Sequence, residues 1–353
     1  MNMSANKIYS EPPETADSFR KDYAAGILEF IKNQNEAAKK TRNQFMPPAG
    51  FPQKIDAYRA QFLKLLGITN LPKEHAPLLK QEYAASDDVC DIYRITVTVL
   101  GTIPFYGLLL VPRNISKTNP APLVIAQHGG GGTPELAADF HGKNNYGHLI
   151  QRILARGAVV FAPQLLLWNQ GEQSGTCPIY KASYDRTAAD VNLKRLGLSI
   201  TGLEIHCISQ SITALSAQNM IDETKIGMAG LSYGGYYTLY TMAADTRIKA
   251  GLACGCFNDR DSYPWLDMTY FKSGLTFQDA ETAALCAPRR LFVSIGKTDP
   301  VFEFHSAVPE AERVKPYYKA FGAEENFQFE TWDGGHTVNP ADDGLDFLFS
   351  AFQ

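Results

Sequence analysis

The sequence has no long hydrophobic run. The densest apolar stretches, such as Gly107 to Val111, fall far short of the ~20 residues that a membrane-spanning helix needs. The opening residues, MNMSANKIYSEPPETAD, have no apolar central region, so they do not read as a signal peptide. The cytoplasm is the expected location, short of a leader already removed. No basic stripe or polybasic run is present, and 33 Lys+Arg against 37 Asp+Glu leave a net charge of −4. That excludes nucleic acid and an anionic membrane surface as expected partners. No Cys-x-x-Cys occurs, which argues against a structural zinc, and six scattered cysteines in 353 residues make no disulfide framework. Cys254 and Cys256, in GLACGC, read as small buried hydrophobes. His-Glu-x-x-His is missing, as is a dinucleotide fingerprint followed by an acid, so no metal or organic cofactor is expected. There is no internal repeat and no low-complexity tract. Oligomeric state leaves no mark in these patterns.

What is present suits a globular enzyme: 45% hydrophobic and 20% charged residues, long enough for one large core and an appendage. Residues 1 to about 17 look frayed, with Pro12 and Pro13. Two helical patterns follow: Tyr23, Ile27, Phe30 and Ile31, then Ile55, Tyr58, Phe62, Leu65 and Leu66, the second closed by Gly67. MPPAGFP (46–52) separates them. Two helices bury too little surface to fold alone. Residues 1–88 are therefore expected to be a helical extension packed on a catalytic domain at 89–353.

In that domain Tyr93, Ile95, Val97 and Val99 alternate as a half-exposed strand. Leu100-Gly101-Thr102 turns the chain into a second, Phe105 to Val111. Short apolar runs bounded by turns come next: LVIA (123–126), AVVFA (158–162), KIGMAG (225–230), IKAGLACG (248–255), LFVSIG (291–296) and FQFETW (327–332). Such runs are buried on both faces, so the expected fold is α/β, an eight-stranded, mostly parallel sheet flanked by helices and antiparallel at its start. Two connections, 164–224 and 256–290, are longer than one crossover helix requires. They leave the carboxyl edge of the sheet, where ligands bind in such folds, and are the candidate substrate-binding walls.

The sharpest chemical signal is Gly230-Leu231-Ser232-Tyr233-Gly234-Gly235, between the strand KIGMAG and the helical YYTLYTMAA. A serine on so tight a strand-to-helix turn stands exposed at the sheet edge, and the residues two before and two after it must be tiny. The helix N-terminus beneath favours a developing anion. Serine needs a base. Of seven histidines, His336 in Trp-Asp-Gly-Gly-His (332–336) alone sits in a loop after the last strand. His75, His141, His148 and His206 precede the serine, His128 braces its loop, and His305 lies in a helix-like stretch. The acid that orients the base is expected at Asp299, directly after the seventh strand, with Asp259 and Asp261 as alternatives; Asp333 is too close to His336. An oxyanion hole would come from the Tyr233 amide and one amide of Gly129 or Gly130 in His-Gly-Gly-Gly-Gly (128–132). No Gly-Lys-Ser/Thr follows those glycines, which removes the phosphate-cradle reading.

On His128–Gly132, Gly230–Gly234, Gly296–Asp299 and Gly334–His336, in that order, the chain from about residue 91 onward resembles the α/β-hydrolase superfamily. Stretches 221–256 and 103–113 are similar to its dienelactone hydrolase-related, acetyl xylan esterase-like branch. The resemblance implies a Ser232–Asp299–His336 triad. Dienelactone hydrolases proper use cysteine as nucleophile, so Ser232 points to esters. Ser-Tyr-Gly-Gly (232–235) also resembles prolyl oligopeptidase-type peptidases. Those carry a propeller domain for which the about 90 residues before the strands are too few.

The expected activity is serine-dependent hydrolysis of a carboxylic ester through an acyl-enzyme, with a small-molecule or carbohydrate ester such as an acetylated sugar as substrate. The alternatives on the same triad are a peptidase and an acyltransferase. Trp168, Tyr180, Tyr184, Tyr263 and Trp265, in the two long connections, are candidates for stacking on a sugar ring. Arg186 and Arg260 are candidates for a substrate carboxylate.

Overall fold

A run that is apolar on both faces is stable only where helices cover both sides of it. Each such run of the sequence is a strand of one sheet. The computed structural model describes residues 9–73, 76–115, 118–142, 144–167, 186–263 and 265–353. Trp168, Cys177, Tyr180, Tyr184 and His75 lie outside the described residues. The strands are β1 (Leu78–Ser86), β2 (Cys90–Val99), β3 (Ile103–Pro112), β4 (Ala121–Gln127), β5 (Val159–Pro163), β6 (Ile221–Leu231), β7 (Ile248–Cys254), β8 (Arg290–Gly296) and β9 (Phe327–Trp332). Their order is β1-β2-β3-β5-β4-β6-β7-β8-β9. The first three strands and the β3–β5 pair are antiparallel, and pairing from β5 to β9 is parallel. This is the α/β-hydrolase fold.

Among the described residues the sheet has nine strands where eight are expected. The extra one, β1, reads LLKQEYAAS, is exposed or half-exposed throughout and pairs only with β2. An edge strand with Lys80, Gln81 and Glu82 in a row has no apolar alternation to announce it. The expected boundary between 88 and 89 therefore falls inside the β1–β2 hairpin, where Ser86 faces Asp91. Between β2 and β3 the chain turns through Leu100–Thr102, where Leu100 and Gly101 both take positive φ, 53° and 69°, and the Thr102 amide donates to the Val99 carbonyl at 3.2 Å.

Among the described residues ten helices accompany the strands: α1 (Pro13–Phe45), α2 (Ile55–Leu65), α3 (Pro134–Ala137), α4 (Leu149–Leu154), α5 (Arg186–Arg195), α6 (Ile200–Ser216), α7 (Tyr233–Ala244), α8 (Asp279–Ala284), α9 (Phe304–Ala320) and α10 (Asp343–Phe349). One face of the sheet is covered by α2, α6, α7, α8 and α9 through Phe62, Ile208, Tyr236, Ala283 and Val314. The other is covered by α3, α4 and α10 through Leu136, Ile153 and Leu348. No helix of the described residues is long and apolar enough to cross a membrane.

The front section departs from expectation. The helix begins at Pro13, inside the stretch expected to fray, because proline at the first helical position loses no hydrogen bond. Tyr23, Ile27, Phe30 and Ile31 do not pack on the domain; they are 42–74% exposed. Only the last turns of α1, with Ala38 and Arg42 buried, are covered.

Candidate active site

The strand order reverses at β4: the chain goes from β4 out to β5, then returns to β6 on the other side. The loops that follow β4 and β6 therefore lie side by side at the carboxyl edge, the usual ligand site of an open parallel sheet. Ser232 follows β6 at φ 61°, ψ −121°, and is the residue immediately before α7. That backbone is strained for a residue with a Cβ. The glycines around it are demanded by contact. A Cβ on Gly230 would stand 2.5 Å from the Gly234 carbonyl oxygen, and one on Gly234 would strike the Gln127 carbonyl of β4.

His336 sits in the loop after β9. Its Nδ1 donates to Asp299 Oδ2 at 2.8 Å, since an ionised carboxylate can only accept. The amides of Val301 and Phe302 donate to Asp299 Oδ1 at 2.8 and 2.9 Å. Burial raises the Asp299 carboxyl, but the bond to His336 and the two amides outweigh it and hold the group below its usual value. Leu231 and His336 both approach Gly255, and Ser232 is tied to the residue before it. The Ser232 amide donates to the Cys254 carbonyl at 2.8 Å, and a Cβ on Gly255 would lie 3.3 Å from the His336 ring. Asn145 Nδ2 donates to the His336 carbonyl at 3.1 Å.

Of the two glycines expected as alternative oxyanion donors, Gly129 is excluded: its amide already donates to the Tyr146 hydroxyl at 2.8 Å. Gly131 and Gly132 give theirs to the carbonyls of Leu167 and Gly129. Gly130 packs against the Tyr233 ring, where a Cβ would lie 3.2 Å from Tyr233 Cδ2. His128 is wholly buried. It accepts from the Leu165 amide at Nε2 and donates from Nδ1 to the Gly129 carbonyl. Burial lowers its pKa to about 4, so it is neutral.

Both arginines expected at a substrate carboxylate are used internally. Arg186 is 4% exposed and bonds both oxygens of Glu204, Asp267 Oδ2 at 2.7 Å and the Tyr237 hydroxyl. Arg260 binds Asp279 at 2.8 Å and the Cys256 carbonyl. The alternative acids are also elsewhere: Asp259 lies 3.4 Å from Lys39, and Asp261 3.6 Å from Arg42. Asp333 pairs with Lys297 on the surface, and His305 is exposed on α9.

Tyr263 and Trp265 form an aromatic wall with two residues the sequence did not single out for it. Trp265 stacks on Tyr233 at 5.1 Å and on Tyr263 at 4.8 Å; Tyr263 meets Phe302 at 4.6 Å, and Phe302 stacks on the His336 ring at 5.9 Å. Tyr233 donates its hydroxyl to Asp267 Oδ1 at 3.1 Å, which fixes that ring. Tyr146, Asp267, Phe302 and Asn145 carry no motif of their own. They are found only once distant loops are placed together.

Residues 207–283, which span the elbow, match the model of the prolyl oligopeptidase family. No curated protein matches the sequence. Among solved structures, a candidate acetyl xylan esterase from Bacteroides fragilis superposes with a TM-score of 0.64 at 16% identity, covering 84% of this chain and 80% of that one. A glucuronoyl esterase from Solibacter usitatus gives 0.58 at 14% identity, over 84% and 92%. A methylesterase gives 0.59 at 21%, over 91% and 68%. At these identities the likeness is one of fold.

Proposed function

We propose that this chain is a serine hydrolase that cleaves a carboxylic ester through an acyl-enzyme, with an acylated or esterified carbohydrate as the substrate class. The observation that carries the reading is the Asp299–His336 pair at 2.8 Å, set over the same glycine turn as the strained Ser232. In this mechanism His336 Nε2 takes the hydroxyl proton of Ser232 as Oγ attacks the ester carbonyl. The amides of Tyr233 and Gly130 stabilise the oxyanion. The protonated His336, held by Asp299, returns the proton to the leaving alcohol. Water, activated by the same imidazole, then releases the acid. The wall of Tyr233, Trp265 and Tyr263 offers an apolar face on which a sugar ring can stack. The neighbouring folds are those of carbohydrate esterases by their descriptions, which favours this substrate class.

A peptidase on the same triad is the second reading, favoured by the match over residues 207–283. Hydrolysis of p-nitrophenyl acetate, a long-chain p-nitrophenyl ester, acetylated xylan and a prolyl p-nitroanilide separates the two. The expected result is ester cleavage that Ser232→Ala reduces by about 10⁴-fold or more. Cleavage of the anilide alone would replace the esterase reading with the peptidase one.

A further inference from the structure

Helix α1 carries an apolar stripe that nothing in its own chain covers among the described residues. Phe19, Tyr23, Ile27, Phe30 and Ile31 recur at helical spacing and fall on one side. They are 70, 74, 42, 62 and 47% exposed. The same side continues into Ala38, which is buried, and Phe45, which packs on Phe277 at 5.2 Å. The face that anchors the end of the helix is thus the face left open over its first half.

The anchor sits at the rim of a groove of about 1090 Å³ that contains none of Ser232, Asp299 and His336. Arg42 donates to the carbonyl of Gly274 at 2.6 Å, and Gly274 lies between Lys272 and Thr276, both of which line the groove. Leu65, Leu198 and the 74% exposed Phe271 give the groove its apolar surface. Lys64, Lys194 and Lys272 surround it, with no carboxylate among its described lining residues. Lys194 has Asp190 at 2.5 Å behind it; no salt bridge occupies Lys64 or Lys272 among the described residues. The helix has the opposite sign. Between Pro13 and Glu29 it bears Glu14, Asp17, Asp22 and Glu29 against Arg20 and Lys21, which is 4 − 2 = 2 excess negative charges. Since α1 is unbroken from Pro13 to Phe45, its stripe cannot turn back into the groove beside its own anchor.

We propose that the first half of α1 seats in this groove of a second copy, and that copy's α1 in the first, giving a two-fold dimer by reciprocal helix-in-groove contact. The size is sufficient. Three aromatics that bury about 200 Å² each when fully covered supply roughly 400 Å² per helix at their present exposure. Counting both sides of both contacts gives about 1,600 Å², the size of a stable specific interface. Asp22 and Glu29, on one edge of the stripe, then meet the lysines.

The test is the solution mass of the full chain by light scattering at tens of micromolar. Three variants accompany it: Tyr23→Glu with Phe30→Glu; Lys64→Glu with Lys272→Glu; and the latter combined with Asp22→Lys and Glu29→Lys. The expected result is a dimer for the wild type, monomers for the first two with circular dichroism unchanged, and a dimer restored in the third. A monomeric wild type overturns the proposal. So does a groove variant that stays dimeric while the helix variant does not, since the helix would then be paired elsewhere.

Discussion

Ser232 holds a backbone conformation that glycine adopts freely and a residue with a Cβ does not. Removing its hydroxyl alone leaves that strain in place, and removing the Cβ as well relieves it. Strain of this kind is worth about 1–3 kcal/mol, against about 0.5–1 kcal/mol that glycine loses through its more disordered unfolded state. Ser232→Gly is thus expected to melt above Ser232→Ala in calorimetry although both are inactive. Equal or reversed midpoints would mean that the elbow is not strained. In the proposed mechanism the chemistry of the same residue depends on Asp299, which bonds His336. Asp299→Asn keeps its size but would fix the wrong tautomer of His336, and is expected to lower kcat for ester cleavage by about 10⁴-fold. A loss under tenfold would assign the orienting role to another group. Ser232, Asp299 and His336 were each readable in the sequence because each sits at a strand end, in an order the fold dictates. The exclusion of Gly129 was not, because its partner, Tyr146, comes from a loop with no pattern. Nor was the burial of Arg186: Glu204 lies on α6 and Asp267 beyond α7, and only packing unites them.

At the scale of elements, one of the groups that tie the loop after β4 to the loop after β5 is a neutral imidazole. His128 Nε2 accepts from the Leu165 amide, so a proton there would break that bond and place a charge on a fully buried ring. Its folded pKa, about 4, lies below the ordinary 6.5. The unfolded chain therefore binds the proton more readily, and the stability this group contributes is complete above pH 6.5 and lost as pH falls towards and through 4. The span corresponds to about 3 kcal/mol, of which about 2 kcal/mol is lost between pH 6.5 and 5. Urea midpoints at pH 5, 6 and 7 should show this slope, and His128→Gln should flatten it. An unchanged slope in the variant would place the acid sensitivity elsewhere. The eight strands found by sequence each carry an apolar pattern strong enough to see, alternating in β2 and continuous in strands such as β4, β5 and β8. Strand β1 lacks it, since Lys80, Gln81 and Glu82 face solvent at the edge. The position of α1 was misread for the converse reason. An apolar stripe read from sequence does not say whether its own chain covers it, and here Tyr23, Ile27, Phe30 and Ile31 stay exposed.

For the whole molecule, the question is how much of the front section the hydrolase fold requires. Up to about residue 34 the helix makes its exposed stripe and little else. Beyond it, Arg42 is 2% exposed, lies 3.6 Å from both Glu281 and Asp261 and donates to the Gly274 carbonyl. Glu281 is itself buried, and burial pushes its carboxyl up although Arg313 and Arg42 pull it down. Removing one member of a buried ionic cluster costs about 3–5 kcal/mol because the rest keep uncompensated charge. Two truncations separate these parts, each measured against the Tyr23→Glu, Phe30→Glu chain so that loss of self-association does not enter the comparison. A chain beginning at residue 35 is expected to match that reference in melting temperature within about 2 °C and in kcat/KM for p-nitrophenyl acetate. A chain beginning at residue 46, without Arg42 and Phe45, is expected to melt lower by about 5 °C or more. If the second chain were as stable as the first, Arg42 would not be what binds the extension to the domain. If the first already lost activity, the stripe would serve the active site and not a neighbouring molecule.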